Sequence, residues 1–456
     1  MDRRRFLKTS AAPAAGPFVG KVAGANDRIT IGQIGLGARG YYELELCLRN
    51  PGVEIAAVCD VYEPLVRHGV AKAGGRVQGY GDFRRVLERK DIDAVFVSTP
   101  DHWHAPISIL ACQAGKHVYT EKPLTHRILE GRRMVEAARR YKRVVQTGSQ
   151  QRSAPHFAEV QKLIQSGYIG KVSLVECWNV ANQFPLGCGN PPDEDPPPGL
   201  DWDLYLGPAP KVRYNLNRFI WHYRWFWDYS GGMMTDWGAH HLDSVHQIMG
   251  VDAPVAVSAT GRKLFLQDNR ETPDVLRAVF EYPGFFVTYT HSALNAHPIA
   301  NRPYGMMFHG TLGTLIVDRR SYQVIPESVT GAGDVGLAAL LKHRRIDPGV
   351  PLTDGGAAAR RPEPLCKPVS VQGISLDPEI QIVHIQNWLD AIRGQAAPAA
   401  DWEVGHRSVT ACHLAVIALR TGRTIRWDAR TETIIGDSEA ARMMSKEYRA
   451  PWALPA

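Results

Sequence analysis

The sequence predicts an α/β chain with an N-terminal doubly wound parallel sheet. An α+β domain with a large, mostly antiparallel open sheet follows. Three observations carry that expectation. Over the first third, short apolar runs alternate with helical segments. The glycine run Gly35-Leu36-Gly37-Ala38-Arg39-Gly40 separates the first such run from the first helix. Beyond residue 170, runs alternating with period two succeed one another without helices between them. At 456 residues the chain exceeds one average domain. Its apolar content of 44% and charged content of 22% are those of an ordinary globular protein, and no apolar run reaches the length of a membrane span.

In order, residues 29–34 form a short β run and 41–49 a helix. Residues 54–59 form a second β run ending in Asp60. Segments 64–73 and 82–89 are helical, and 94–98 (AVFVS) reads as a buried strand. A helix over 105–114 stops at Gly115. Strand 118–120, helix 127–141 and strand 144–147 complete a domain spanning 27–150. A second domain over 151–430 opens with a helix at 154–166 and a half-buried strand at 171–180. Residues 184–210 are crowded with proline and glycine and read as an irregular loop. Strands follow at 255–265, 275–282 and 285–290, with a strand pair over 306–317. Residues 327–374 carry no period and read as a long surface loop. Amphipathic helices return at 378–393 and 408–420, and 431–456 is a C-terminal tail.

The net charge of +7 is concentrated at the start, in Arg3, Arg4, Arg5, Lys8 and Lys21. Arg-Arg-x-Phe-Leu-Lys there, followed by small apolar residues, fits a twin-arginine signal over 1–25, with export to the periplasm or beyond. No Lys/Arg stripe interleaved with aromatics appears, so nucleic acid is not an expected partner. The seven cysteines form no CxxC pair. Neither a disulfide framework nor a metal site is expected.

Four constellations carry chemistry. Gly35-x-Gly37-x-x-Gly40 has a strand before it, a helix after it and Asp60 twenty positions on, the order a dinucleotide site needs. Gly35 permits the turn, Gly37 lets backbone approach a pyrophosphate, and Gly40 lets helix and strand pack. Asp60 would accept from a ribose hydroxyl. Thr99-Pro100-Asp101-His102-Trp103-His104 follows a buried strand, where ligands of open α/β sheets bind; Asp101 could equally cap a helix. Glu121-Lys122-Pro123 follows the next strand, and a lysine there can stabilise charge on a substrate oxygen. Asp236 and His240 stand four apart in DWGAHHLD, so a helix puts them on one face, a carboxylate beside an imidazole base. The adjacent His241 raises a metal reading, ranked lower because neighbouring histidines point to different faces. The aromatic run 219–227 suggests a pocket for sugar C–H faces, or else core packing.

Together these segments resemble the glucose–fructose oxidoreductase/inositol dehydrogenase family, Gfo/Idh/MocA. The resemblance rests on GLGARG with Asp60, TPDHWH, EKP at 121–123, GSQQR at 148–152, DWGAHHLD at 236–243 and GTLGTL at 310–315. It implies a Rossmann domain and a C-terminal domain whose open sheet forms a homo-oligomer interface. It also implies NAD(P)-dependent oxidation of a ring or polyol hydroxyl. By position, Lys122, Asp236 and His240 become the catalytic group: His240 takes the proton, Asp236 orients it, and Lys122 holds the substrate oxygen. Gly35, Gly37, Arg39, Gly40, Asp60, Thr99, Pro100, His104, Glu121, Lys122 and Gln150 become cofactor contacts. Trp103, Arg152, Arg224, Trp227 and His241 are expected on the substrate. Asp60 argues for NAD, while Arg39 leaves NADP open. Export implies a tightly held cofactor recycled in place. A redox-neutral NAD-dependent glycosidase and a secreted sugar-binding protein on the same fold are the alternatives.

Overall fold

The structure is a computed structural model and describes residues 28–328, 364–374 and 379–456. The signal expected over 1–25 lies outside them. In the first domain strands and helices alternate: Ile29–Ile34 (β1), Ala38–Leu48 (α1), Val53–Cys59 (β2), Glu63–Lys72 (α2), Gln78–Tyr80 (β3), Phe83–Leu87 (α3), Ala94–Val97 (β4), Asp101–Gln113 (α4), His117–Thr120 (β5), Ile128–Arg140 (α5) and Val145–Thr147 (β6). The sheet runs β3-β2-β1-β4-β5-β6, all parallel. Helices cover both faces, so β4 is buried at every residue and reads as an unbroken apolar run. Strand order reverses between β1 and β4, which opens a crevice at their carboxyl ends.

Helix α4 begins at Asp101, four residues earlier than expected, and carries Pro106 inside it. A proline there lacks the N–H that would bond to the carbonyl of His102. That carbonyl instead accepts from Lys446 Nζ at 3.4 Å. A residue from the far end of the chain thus completes the helix. Strand β3, only three residues long, gave no period to read.

The second domain contains Pro155–Gln165 (α6), Val172–Val180 (β7), Asp193–Glu194 (β8), Trp202–Leu206 (α7), Tyr214–Asn215 (β9), Met233–Met249 (α8), Ala256–Arg262 (β10), Val275–Tyr282 (β11), Phe285–Ser292 (β12), Tyr304–Gly310 (β13), Gly313–Val317 (β14), Tyr322–Pro326 (β15), Val369–Val371 (β16), Glu379–Ile392 (α9), Trp402–Thr421 (α10), Ile425–Asp428 (β17), Thr433–Ile435 (β18) and Ser438–Arg442 (α11). Its sheet runs β16-β15-β14-β13-β7-β12-β11-β10-β17-β18, antiparallel except where β12 joins β7. One face packs on α6, α8 and α10 through Phe157, Leu242, Leu414 and their neighbours. The other face leaves Val279, Phe286 and Ile325 between 41% and 49% exposed.

Three expectations change. The loop at 184–210 contains α7, started by the Asp201 side chain, which accepts from Leu204 N. The loop expected over 327–374 includes β16 on the edge of the sheet; its residues 329–363 lie outside those described. The tail over 431–456 contains β18 and α11 and returns to the first domain, where Trp452 meets Trp103 edge-on at 4.8 Å. Helix α9 also packs on the first domain, placing Trp388 against Phe96 and Tyr119.

Candidate active site

The crevice continues into a cleft of about 390 Å³ that both domains line. At its phosphate end the glycines divide the work. Gly35 sits at φ +89, and a Cβ there would meet the Ser98 carbonyl oxygen at 2.5 Å. Gly40 presses on the Gly35 carbonyl. A Cβ on Gly37 would meet no atom of the described residues within 4 Å, because it points into the open cleft. The amides of the first turn of α1 are therefore available to an anion. Asp60 lines the same end and accepts from Leu36 N at 2.7 Å and Tyr62 N at 3.0 Å. Burial pushes its carboxyl up to about 6, against those donors. Among the described residues, the side-chain oxygens of Thr99 and Gln150 are buried without a partner, in residues that line the cleft. These orphaned acceptors and the glycine cradle fit a dinucleotide.

Arg39 lines the cleft but is held by protein. Its guanidinium meets Glu121 at 2.8 Å, Glu43 at 3.3 Å and Gln381 at 2.7 Å. Its Nε and Nη2 are thus engaged by protein partners. Burial and the neighbouring Glu121 push the Glu43 carboxyl well up, while Arg39 overcomes the burial of Glu121 and holds it low. Glu43 and Glu121 thus flank the same guanidinium. Ser98 Oγ donates to the other Glu43 oxygen. Glu121 in turn accepts from Lys122 N at 3.1 Å.

At the other end, Lys122 Nζ donates to Asp236 Oδ1 at 2.5 Å, bridging the domains. Arg224 Nε lies 3.4 Å from the same oxygen. Burial would raise the Asp236 carboxyl, but these two cations hold it at about 2. Asp236 and His240 share the cleft-facing side of α8, as their spacing predicts. The carboxylate is engaged by Lys122 and Arg224 rather than by His240, so it positions the ammonium instead of the imidazole. Burial, then Arg319 and Lys122, push the His240 imidazole well down, so it is neutral at physiological pH. Such a ring can accept a proton.

Several expected contacts lie elsewhere. His104 braces two loops from below, with Nδ1 and Nε2 each 2.8 Å from the carbonyls of Pro123 and Thr99. Trp103 does line the cleft, its indole N–H donating to the Tyr205 carbonyl at 2.9 Å. Arg152 pairs with buried Asp243 at 2.8 Å. His241 is fully buried against Tyr304 at 4.3 Å. Trp227 packs under Arg420 and on the second-domain core. Of the aromatic run, Trp221 and Tyr223 reach the cleft, while Trp225 and Phe226 build a satellite core. Asp101 does not cap α4; it accepts from Tyr223 OH at 3.1 Å and Ser230 Oγ at 2.6 Å, tying the domains together.

Two features had no readable motif. Arg319, from the β14–β15 turn, lines the cleft beside His240 and Trp237. Residues 193–219 form a strap over the first domain. Glu63 N donates to the Gly199 carbonyl at 2.8 Å, and Asp201 N to the Val61 carbonyl at 2.9 Å. Leu204 and Tyr205 of the strap line the cleft, and Arg449 from the C-terminus holds Asp203 at 2.7 Å.

A family model described as "oxidoreductase family, NAD-binding Rossmann fold" matches residues 29–149. Its companion, "oxidoreductase family, C-terminal alpha/beta domain", matches 155–270 and 371–454. The chain belongs to the Gfo/Idh/MocA oxidoreductase family, whose first domain binds NAD. Among solved structures it resembles the WlbA dehydrogenase of Bordetella pertussis in complex with NADH and UDP-GlcNAcA. There the identity is 18% and the TM-score 0.62, covering 88% of this chain and 99% of that one. A levoglucosan dehydrogenase in complex with NADH and levoglucosan gives the same values. A putative myo-inositol dehydrogenase from Sinorhizobium meliloti 1021 gives 19% identity and a TM-score of 0.57, covering 87% of this chain and 99% of that one. At these identities the likeness is one of fold. Curated relatives include a glycosyl hydrolase family 109 protein of Shewanella sp. strain W3-18-1, 31% identical over 171 residues. That match spans 31% of this chain and 37% of the relative.

Proposed function

We propose that the protein is an NAD-dependent oxidoreductase that oxidises a ring hydroxyl of a sugar, glycoside or cyclitol. One observation carries the reading: Lys122 of the dinucleotide domain and Asp236 of the second domain meet in an ion pair inside the shared cleft. Bound NAD supplies the hydride acceptor. Lys122 Nζ donates to the substrate oxygen and stabilises the charge that develops on it. Asp236 fixes the ammonium. Neutral His240 receives the hydroxyl proton as the carbon gives up its hydrogen with both electrons, leaving a ketone. Asp60 favours NAD over NADP, since its carboxylate accepts ribose hydroxyls and opposes a phosphate. The strap and C-terminus support a cofactor that stays bound and is recycled in place. Export by the twin-arginine route and homo-oligomerisation through the exposed sheet face belong to the same proposal.

A second reading is favoured by the name of the curated relatives, redox-neutral glycoside cleavage. The ring is oxidised at C3, loses its C2 proton and the aglycone, adds water and takes the hydride back. The test is a panel of sugars and aryl glycosides added to protein purified with its cofactor. Growth of the reduced-nicotinamide absorbance supports the dehydrogenase. Aglycone release without net reduction supports the glycosidase. Neither signal, from protein that binds NAD, removes both.

A further inference from the structure

Arg319 differs from every other cation in the cleft in the company it keeps. Lys122 and Arg224 share the Asp236 carboxylate, and Arg39 is matched by Glu121. Arg319 has no acidic partner among the described residues. The adjacent Asp318 is turned away: it pairs with Arg302 at 2.8 Å and accepts from the amides of Arg320 and Ser321 at 2.7 Å. What holds Arg319 is neutral. Its Nε donates to Gln151 Oε1 at 2.9 Å, and its guanidinium lies 4.8 Å from the Trp237 ring centre and 5.5 Å from that of Tyr304. Gln151 is itself fixed by Tyr304 OH at 2.9 Å. The guanidinium is thus preorganised on two rings and a carboxamide, beside His240, with its charge unmatched among the described residues.

A half-buried cation without a counter-ion is costly unless a ligand supplies one. A planar guanidinium fork is shaped for a bidentate oxyanion. We infer that Arg319 is a specificity-determining residue that selects a sugar bearing an oxyanion, as a carboxylate or a phosphate ester, and docks it beside His240. The inference rests on the reading of the cleft as a sugar site. The surrounding charge agrees: Lys122, Arg224 and Arg319 face the substrate half, with Asp236 between the first two. An oxyanion on Arg319 would also cancel part of the field that depresses the His240 imidazole, making it a stronger base when substrate is in place.

The test is calorimetric titration of the NAD-loaded protein with glucuronate, galacturonate and glucose 6-phosphate, each set against glucose or galactose. The charged sugars should bind about tenfold or more tightly than the neutral ones, and raised salt should narrow the gap. Preference among the charged sugars distinguishes carboxylate from phosphate. Arg319→Gln should erase the gap, and Arg319→Lys should keep part of it. Thermal melting of both variants guards against misfolding. Equal or tighter binding of neutral sugars, an unchanged gap in Arg319→Gln, or no binding of any charged sugar overturns the assignment. Nicotinamide absorbance, read in parallel, separates the two claims. Neutral sugars that reduce the cofactor while charged ones fail sink Arg319 alone. Charged sugars bound through Arg319 but never oxidised sink the dehydrogenase.

Discussion

Gly35 and Gly37 stand two residues apart and answer to different constraints. Gly35→Ala forces a Cβ at positive φ onto the Ser98 backbone. It should destabilise the fold by about 1–3 kcal/mol, read as a lowered melting temperature with or without NAD. A Cβ on Gly37 meets no atom of the described residues within 4 Å, so Gly37→Ala should leave the apo protein melting normally while NAD affinity falls by an order of magnitude or more, about 1.4 kcal/mol per factor of ten. A melting point lowered as much as that of Gly35→Ala would show Gly37 to be structural. Lys122→Ala should cut turnover by about 10²–10³-fold and leave NAD binding intact. Asp60 sets a pH dependence. With its carboxyl pushed up to about 6, the charged acceptor is lost as pH falls through that value. NAD affinity should weaken there in the wild type and stay flat in Asp60→Asn. The glycines, Asp60, Lys122, Asp236 and His240 were legible because each sits in a fixed place relative to a strand end or helix turn. His104, Arg152, Trp227 and His241 were misplaced for a common reason: nearness in sequence to a motif does not say which face of the backbone a side chain leaves from.

At the scale of elements, the strap over 193–219 and the C-terminus act together. Trp452 packs on Trp103, which also donates to the strap carbonyl of Tyr205. Trp452→Ala should therefore speed release of bound NAD, measured by chase with a fluorescent analogue, while circular dichroism stays unchanged. An unchanged release rate would mean that the strap holds without the tail. The strap looked like an irregular loop because its hydrogen bonds go to α2 and α4, far away in sequence, and proline-rich composition shows only that it forms no long element of its own. Helix α4 starts four residues before the expected 105, and Lys446 supplies the donor that Pro106 denies to the His102 carbonyl.

Across the whole molecule, buried neutral histidines set the response to acid. Burial chiefly pushes His102 and His126 well down, His246 and His413 to about 3, and His384 to about 4. The unfolded chain protonates these rings near 6.5, whereas the folded chain does not. The unfolded state therefore binds more protons as pH falls, and stability should drop below that value, by up to about 1.4 kcal/mol per pH unit for each histidine. Urea midpoints measured from pH 7.5 to 5 should fall steadily. A flat profile down to the carboxylate range would show that the rings are solvated.

The sequence by itself determined the two-domain order, the parallel and antiparallel sheets, and the dinucleotide end of the cleft, because these follow from periodicity and glycine spacing within short stretches of chain. Only the tertiary structure decided that Asp236 pairs with Lys122 rather than His240, that Arg39 is engaged by Glu121, and that Arg319 has no acidic partner among the described residues. Each of those depends on which charges lie within a few ångströms of one another, and that is fixed by packing between domains rather than by distance along the chain.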